Sequence, residues 1–222
     1  MATASRIAKQ TAKTYQSVLL VRERAQDKLN ALLSSQAAYT LIEHDETHPY
    51  YAQLKNAKRF VASFEELTSL VLGVEVGNGT IAFELDKIQA TLIVNDKDKD
   101  EHIEALRSLP KANQRKIQAL KIGEQVSSVY DSATWLWSFC DLKATKAQLE
   151  MLHGKKQVKR HLEVPYLNIN AECRAAVKEV KKLAAMVLNL TVKGKSVRLA
   201  LEAKRSKNPS QSLDILLALK DK

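Results

Sequence analysis

Cysteine, proline, glycine and aromatic residues are all scarce in this chain. The two cysteines, Cys140 and Cys173, are far apart in the sequence. That excludes a disulfide framework, and neither has the neighbouring ligands a metal knuckle needs. They fit free thiols in a reducing cytoplasm. Only 4 prolines and 6 glycines punctuate 222 residues, while 27% of side chains are charged and 45% hydrophobic. Such a composition excludes a largely disordered chain and favours helices over a turn-rich all-β fold. Apolar runs stay short. Ala184–Leu188 is typical of them, far below the roughly 20 residues that span a bilayer. No membrane partner is expected. The first residues, MATASRIAKQTAKTYQ, are basic and lack an apolar stretch, which excludes a secretory signal.

Motifs for catalysis are absent as well. The glycine-rich segment GVEVGNGT holds three of the six glycines, but it lacks the Gly-Lys-Ser/Thr ending that cradles phosphate. No serine nucleophile elbow and no Cys/His pair occurs. His44 and His48 are spaced i, i+4, yet they stand in HDETHP, which Pro49 terminates, so they read as loop residues. His153 and His161 flank a basic run without further ligands and read as conditional charge. The carboxylates of DKDKDE, 96–101, lack the glycine of a calcium loop and read as a charged loop. No enzyme activity, metal, cofactor or small-molecule ligand is expected.

What the chain does have is segregated charge. Residues 155–207 carry 14 Lys/Arg against 4 Asp/Glu, a net of +10, while residues 1–154 carry 19 of each. One stretch thus holds the whole excess of the protein. A concentrated positive field of this kind suits an anionic partner, most commonly a nucleic-acid backbone. The expected division is a charge-neutral helical body over 1–154 and a basic strand-helix-helix segment over 155–222 that ends in a short apolar helix.

The hydrophobic pattern predicts a mainly α fold with a small β component. Residues 16–21, QSVLLV, read either as a strand before a helix or as part of one long helix from about Arg6. Leu54, Ala57, Val61, Phe64 and Leu67 predict a helix over 50–72 that Pro49 can begin. GVEVGNGT reads as a loop. Alternation of Ile81, Phe83 and Leu85, followed by β-prone Thr91–Val94, predicts a hairpin near 80–95, with a helix as the alternative. Pro110 should start a helix that is broken or joined near Gly123. Its apolar stripe runs through Val126, Val129, Ala133, Leu136, Trp137 and Cys140. Trp135 and Trp137 cannot share a helix face, so one is expected in the core. Leu142–Leu152 reads as a further helix capped by Gly154.

In the basic segment, Val164–Ile169 reads as a short strand and Asn170 as the N-cap of a helix. Val177, Val180, Leu183, Ala184 and Val187 would face inward, and Arg174, Lys178, Lys181 and Lys182 outward. TVKGKS reads as a turn, Ser196 as the cap of the next helix, and SQSLDILLALK as a docking or oligomerising helix. Fourteen residues are the candidate DNA contacts: Lys155, Lys156, Lys159, Arg160, Asn168, Arg174, Lys178, Lys181, Lys182, Lys193, Lys195, Arg198, Lys204 and Arg205. The cations would hold phosphates, which position a protein without reading sequence, and Asn168 would reach base edges.

Four segments resemble the AcaB-like regulators of conjugative plasmids and integrative conjugative elements: VLLVRERAQDKL (18–29), DETHPYYAQL (45–54), YDSATWLWSFCDLKATKAQLEML (130–152) and GKKQVKRHLEVPY (154–166). The resemblance implies a bacterial cytoplasmic transcriptional regulator, an activator, related to ribbon-helix-helix proteins. In such proteins paired strands of a homodimer enter the major groove. Two strand-then-helix candidates qualify, 16–43 and 163–190. The expected partners are therefore double-stranded DNA and a second copy of the chain. The alternatives are a helical adaptor of a conjugation or phage system with a basic face for an acidic protein, and an RNA-binding helper. The lone aromatic of the basic segment, Tyr166, argues against base stacking on single strands.

Overall fold

The structure is a computed structural model that describes residues 3–34, 49–82, 84–85, 97–139, 147, 150–151, 154–156 and 169–220. Its elements are α1 (Ala4–Leu33), α2 (Pro49–Val71), β1 (Glu75–Val76), β2 (Gly79–Thr80), α3 (Lys97–Ser108), a 3-10 turn (Gln114–Lys116), α4 (Ala119–Phe139), α5 (Asn170–Leu188), β3 (Thr191–Val192), β4 (Lys195–Ser196), α6 (Val197–Lys207) and α7 (Gln211–Leu217). The mainly helical expectation holds, with two small antiparallel strand pairs as the β component. Among the described residues no helix is long and apolar enough to cross a membrane.

Two compact units form. The first comprises residues 1–16, 62–131 and 178–222, and the second residues 17–61 and 132–177. Neither unit follows the charge boundary at residue 154.

In the first unit, the start of α1 buries Ile7, Ala8, Ala12 and Tyr15 at helical spacing. Buried Thr11 and Thr14 return their hydroxyls to the carbonyls of Ile7 (2.8 Å) and Gln10 (2.7 Å), so neither leaves an orphan donor. Tyr15 stacks on Phe64 with centroids 5.9 Å apart and donates to Glu65 at 2.9 Å. Gly123 lies inside α4 because the helix passes close to α6; a Cβ there would sit 3.4 Å from Leu201 Cβ. In the second unit, Lys28 is buried with its ammonium 4.5 Å from the ring centre of Tyr50. Arg24 approaches Glu172 at 4.0 Å.

Several sequence expectations are corrected. QSVLLV lies within the unbroken α1; Val18, Leu19 and Val21 are buried at helical, not alternating, positions. The alternative of one long helix from about Arg6 therefore holds, and the strand-then-helix candidate at 16–43 has no strand at 16–21. A hairpin forms at 75–80, within the segment read as a loop, where GVEVGNGT pairs Glu75 with Thr80 and Val76 with Gly79, and the described part of 81–85 follows the helical alternative. Ile81 and Ala82 are already helical, and 86–96 lie outside the described residues. DKDKDE is not a loop from Lys97 onward but the start of α3. Pro110 precedes a coil and the 3-10 turn, and α4 begins only at Ala119 and runs through Gly123. Neither tryptophan is core: Trp135 is 51% and Trp137 38% exposed. TVKGKS is a hairpin rather than a bare turn, with Lys193 and Gly194 both at positive φ (50° and 77°), the backbone of a two-residue hairpin turn. Cys140, most of 142–152 and the predicted strand at 163–168 lie outside the described residues. Gly154, at φ 74°, bonds back to the Glu150 carbonyl at 2.9 Å, as expected of a helix cap.

The structure also exposes a repeat that reading the sequence element by element misses. Shifting α2 and the residues after it by 116 positions brings Pro49 onto Pro165, Tyr50 onto Tyr166, Val61 onto Val177, Leu67 onto Leu183, Val71-Leu72 onto Val187-Leu188, Val76 onto Val192 and Leu85 onto Leu201. The hairpins match in register, Glu75–Thr80 with Thr191–Ser196. Their flanking hydrogen bonds match too: Ile81 N–H donates to Val74 O at 3.2 Å, and Val197 N–H to Leu190 O at 3.0 Å. A shift of 115 residues brings Ala4, Ile7, Gln10, Tyr15 and Ser17 of α1 onto Ala119, Ile122, Gln125, Tyr130 and Ser132 of α4. The repeat unit is a helix, a second helix, a two-residue hairpin and a further helical start.

Candidate nucleic-acid interface

The outward face of α5 forms because its apolar residues recur every three to four positions. Cys173, Ala176, Val177, Val180, Leu183, Ala184 and Val187 are buried, which turns Arg174, Lys178, Lys181 and Lys182 to solvent as the sequence predicted. Lys182 leans on Glu179 at 3.0 Å. Lys195 is exposed on β4, and Lys155 and Lys156 are exposed in a helical turn after Gly154.

Other candidates are held by the protein itself. Lys193 donates to the carbonyl of Arg115 at 3.0 Å. Arg198 is half-buried and donates to the carbonyls of Leu217 and Leu219, so it ties down the C-terminal end of α7. Lys204 pairs with Glu124 at 2.7 Å, and Arg205 pairs with Asp214. These last two pairs are 40–48% exposed, and exposed pairs contribute about 1 kcal/mol at most. Leu213 and Leu216 of α7 are buried against this chain, while Ile215 is 49% exposed. Lys159, Arg160 and Asn168 lie outside the described residues.

Sequence reasoning missed cations from other parts of the chain. Arg6, Lys9 and Lys13 lie at i, i+3 and i+7 on α1. With Lys181, Lys182 and Lys220 they rim a groove of about 540 Å³ in the first unit. The signal was present in the acid-free stretch before Glu23, whose cations repeat at helical spacing.

Under the groove one carboxylate is enclosed. Glu179 is only 7% exposed. Gln10 donates to its Oε2 at 2.8 Å and to its carbonyl at 3.3 Å. The Thr14 hydroxyl, whose proton goes to the Gln10 carbonyl, lies 3.3 Å from the same Glu179 carbonyl, and Lys13 stands 3.6 Å from Oε1. Burial alone pushes the Glu179 carboxyl up. The bonds from Gln10 and Lys182, with the charges of Lys13 and Lys182, outweigh that and hold it below the usual carboxylate range. Glu179 therefore stays ionised and fixes α1 to α5. Among the described residues no cluster of three or more His, Cys, Asp or Glu could hold a metal.

No family model, curated protein or solved structure matches the chain.

Proposed function

We propose that this chain is a double-stranded-DNA-binding transcriptional regulator of a bacterial mobile genetic element. One observation carries the DNA part: a net +10 confined to residues 155–207, with Arg174, Lys178, Lys181 and Lys195 all turned to solvent. A regular row of cations on a helix face suits the evenly spaced charges of a phosphate backbone, and each phosphate neutralised releases counterions. The regulatory part rests on the resemblance of the four segments between residues 18 and 166.

A salt titration of binding to labelled duplex DNA, single-stranded DNA and RNA tests the reading. Duplex binding should be tightest. Neutralising Lys178 and Lys181 together (Lys178→Gln/Lys181→Gln) should weaken all duplexes alike and flatten the slope of log K against log salt by about 1–2. Equal binding to RNA and duplex, or an unchanged slope, would count against it.

A further inference from the structure

We infer that the groove between the start of α1, the end of α5 and Lys220 is a phosphodiester-backbone seat. It would extend the DNA-binding surface beyond the basic segment to residues at both ends of the chain. The inference rests on the DNA-binding reading above and locates where the backbone lies.

Three observations carry it. The first is the groove's charge. Six cations rim it, Arg6, Lys9, Lys13, Lys181, Lys182 and Lys220, and a carboxylate beneath them, Glu179, is buried and already bonded. Three of the six, Arg6, Lys9 and Lys13, come from a part of the chain whose overall charge is zero.

The second observation is what the internal repeat does at the same place. Gln10 on α1 donates to the Glu179 carbonyl on α5, and the matching Gln125 on α4 donates to the matching Ser63 carbonyl on α2 at 2.9 Å. The two helix pairs thus meet in the same way. At the positions matching Arg6, Lys9, Lys13, Lys181 and Lys182 stand Lys121, Glu124, Ser128, Glu65 and Glu66. Five cations in one helix pair face one cation and three carboxylates in the other. Packing alone therefore does not demand the positive charge, since the same packing forms with the opposite sign.

The third observation is the floor. Ala185, Met186 and Leu219 line it beneath the cations, and Ala185 and Met186 are only 3% and 6% exposed. The Gln10 amide is occupied by Glu179, which leaves no convergent polar set to orient a compact ligand. Long, flexible ammonium side chains around a shallow trough suit a continuous, regularly charged strand.

Lys9 and Lys220 both lie outside residues 155–207, so they test the groove separately from the α5 face. The measurement is fluorescence anisotropy of a labelled 20-base-pair duplex from low salt to 1 M, with wild type, Lys9→Gln/Lys220→Gln and Lys9→Arg/Lys220→Arg. The Gln variant should flatten the salt slope by about 1.8. Its affinity should converge with wild type at 1 M and fall about 60-fold behind at 0.1 M. The Arg variant should keep the wild-type slope. Matching circular dichroism and thermal melts confirm that each variant is folded. Wild-type binding with an unchanged slope in the Gln variant overturns the groove and leaves the DNA reading standing. A wild-type chain that fails to bind duplex even at low salt overturns the DNA reading and the groove with it.

Discussion

At position 66 the first repeat carries a carboxylate, and at the matching position 182 the second carries an ammonium. Positions 65 and 181 differ in the same sense, and position 62, an alanine, becomes Lys178. Beneath those side chains almost nothing changes sign. Phe60, Val61, Phe64, Leu67, Thr68, Leu70 and Val71 of α2 and Leu72 just after it are buried, and so are their counterparts Ala176, Val177, Val180, Leu183, Ala184, Met186, Val187 and Leu188 in α5. Val74 and Leu190 accept the same hydrogen bond at the mouth of each hairpin. What the two repeats share is what their packing requires. What they do not share is the charge presented to solvent: positions 62, 65 and 66 become Lys178, Lys181 and Lys182, while Lys55 and Arg59 become Ala171 and Ala175. Exposed positions are the least constrained by folding, usually within about 0.5 kcal/mol of neutral.

The comparison can be broken first in the core. Leu85→Ala and Leu201→Ala remove equivalent, fully buried side chains and should each cost about 2–5 kcal/mol. Urea unfolding should give similar losses for the two. A cost at one position only would mean that the repeats do not share a packing plan.

The next largest effect should be unequal. Glu179 is buried and held by Gln10, Lys13 and Lys182, whereas its counterpart Ser63 offers its backbone carbonyl to Gln125. Glu179→Ala should cost about 1–2 kcal/mol, because it removes the buried carboxylate that accepts from Gln10 at 2.8 Å and pairs with Lys182, and leaves Gln10 only the longer bond to the backbone carbonyl. Ser63→Ala should be nearly neutral. The pH dependence has a definite sign. The Glu179 carboxyl titrates lower in the folded protein than in the unfolded chain. Its contribution is therefore fully present at neutral pH and is lost as pH falls through the folded value. Thermal melts from pH 7 to pH 3 should show the gap between wild type and Glu179→Ala narrowing toward the acid end.

Charge can also be moved across the repeat. Glu66 is exposed, and Glu66→Lys gives the first repeat the residue of the second. If phosphates reach that surface, the salt slope of duplex binding should steepen by up to about 1. If only the groove lined by Lys181 and Lys182 is used, the slope should not move, which sharpens the contrast between the two helix pairs.

The smallest effect concerns Asp131, which stands where the first repeat has Gln16. Burial raises its carboxyl above the usual value, and a hydrogen bond with Ser212 offsets this only in part. The ionised form is therefore disfavoured by folding at neutral pH, and that penalty fades as pH falls. Asp131→Asn should raise Tm by about 1–3 °C at pH 7. The gain should shrink in acid, as differential scanning calorimetry can measure.

Much of the helical plan was legible because period is a local signal. Leu54, Ala57, Val61, Phe64 and Leu67 marked α2, and the inward and outward residues of α5 were separable by spacing alone. Ser196 was readable as a cap, and its hydroxyl does accept from Leu199 N–H. The hairpins at 75–80 and 191–196 were readable only as a loop and a turn, because each strand is two residues long, too short for alternation to show. Val18 and Val21 left strand and helix both open because β-branched residues favour strands intrinsically, and burial within a 30-residue helix decides for the helix. The groove was not legible from charge segregation. Its α1 cations sit in a stretch whose charge is cancelled by acids elsewhere in the chain, and only folding brings them to Lys181 and Lys182. The repeat was present in the sequence all along. It was obscured because surface residues diverged while buried ones exchanged size, as from Phe64 to Val180.

The reciprocal glutamines have a consequence for mass action. Gln10 of the first repeat reaches the second repeat, and Gln125 of the second reaches the first. Each repeat thus completes the other, as subunits do in a dimer that exchanges helices, but here the two are joined by covalent chain. The joining raises the effective concentration of each half at the other to the millimolar range typical of short tethers. A cut between the repeats would return that pairing to ordinary bimolecular equilibrium. Two fragments made separately should then fold only when mixed, with a midpoint that rises with their concentration.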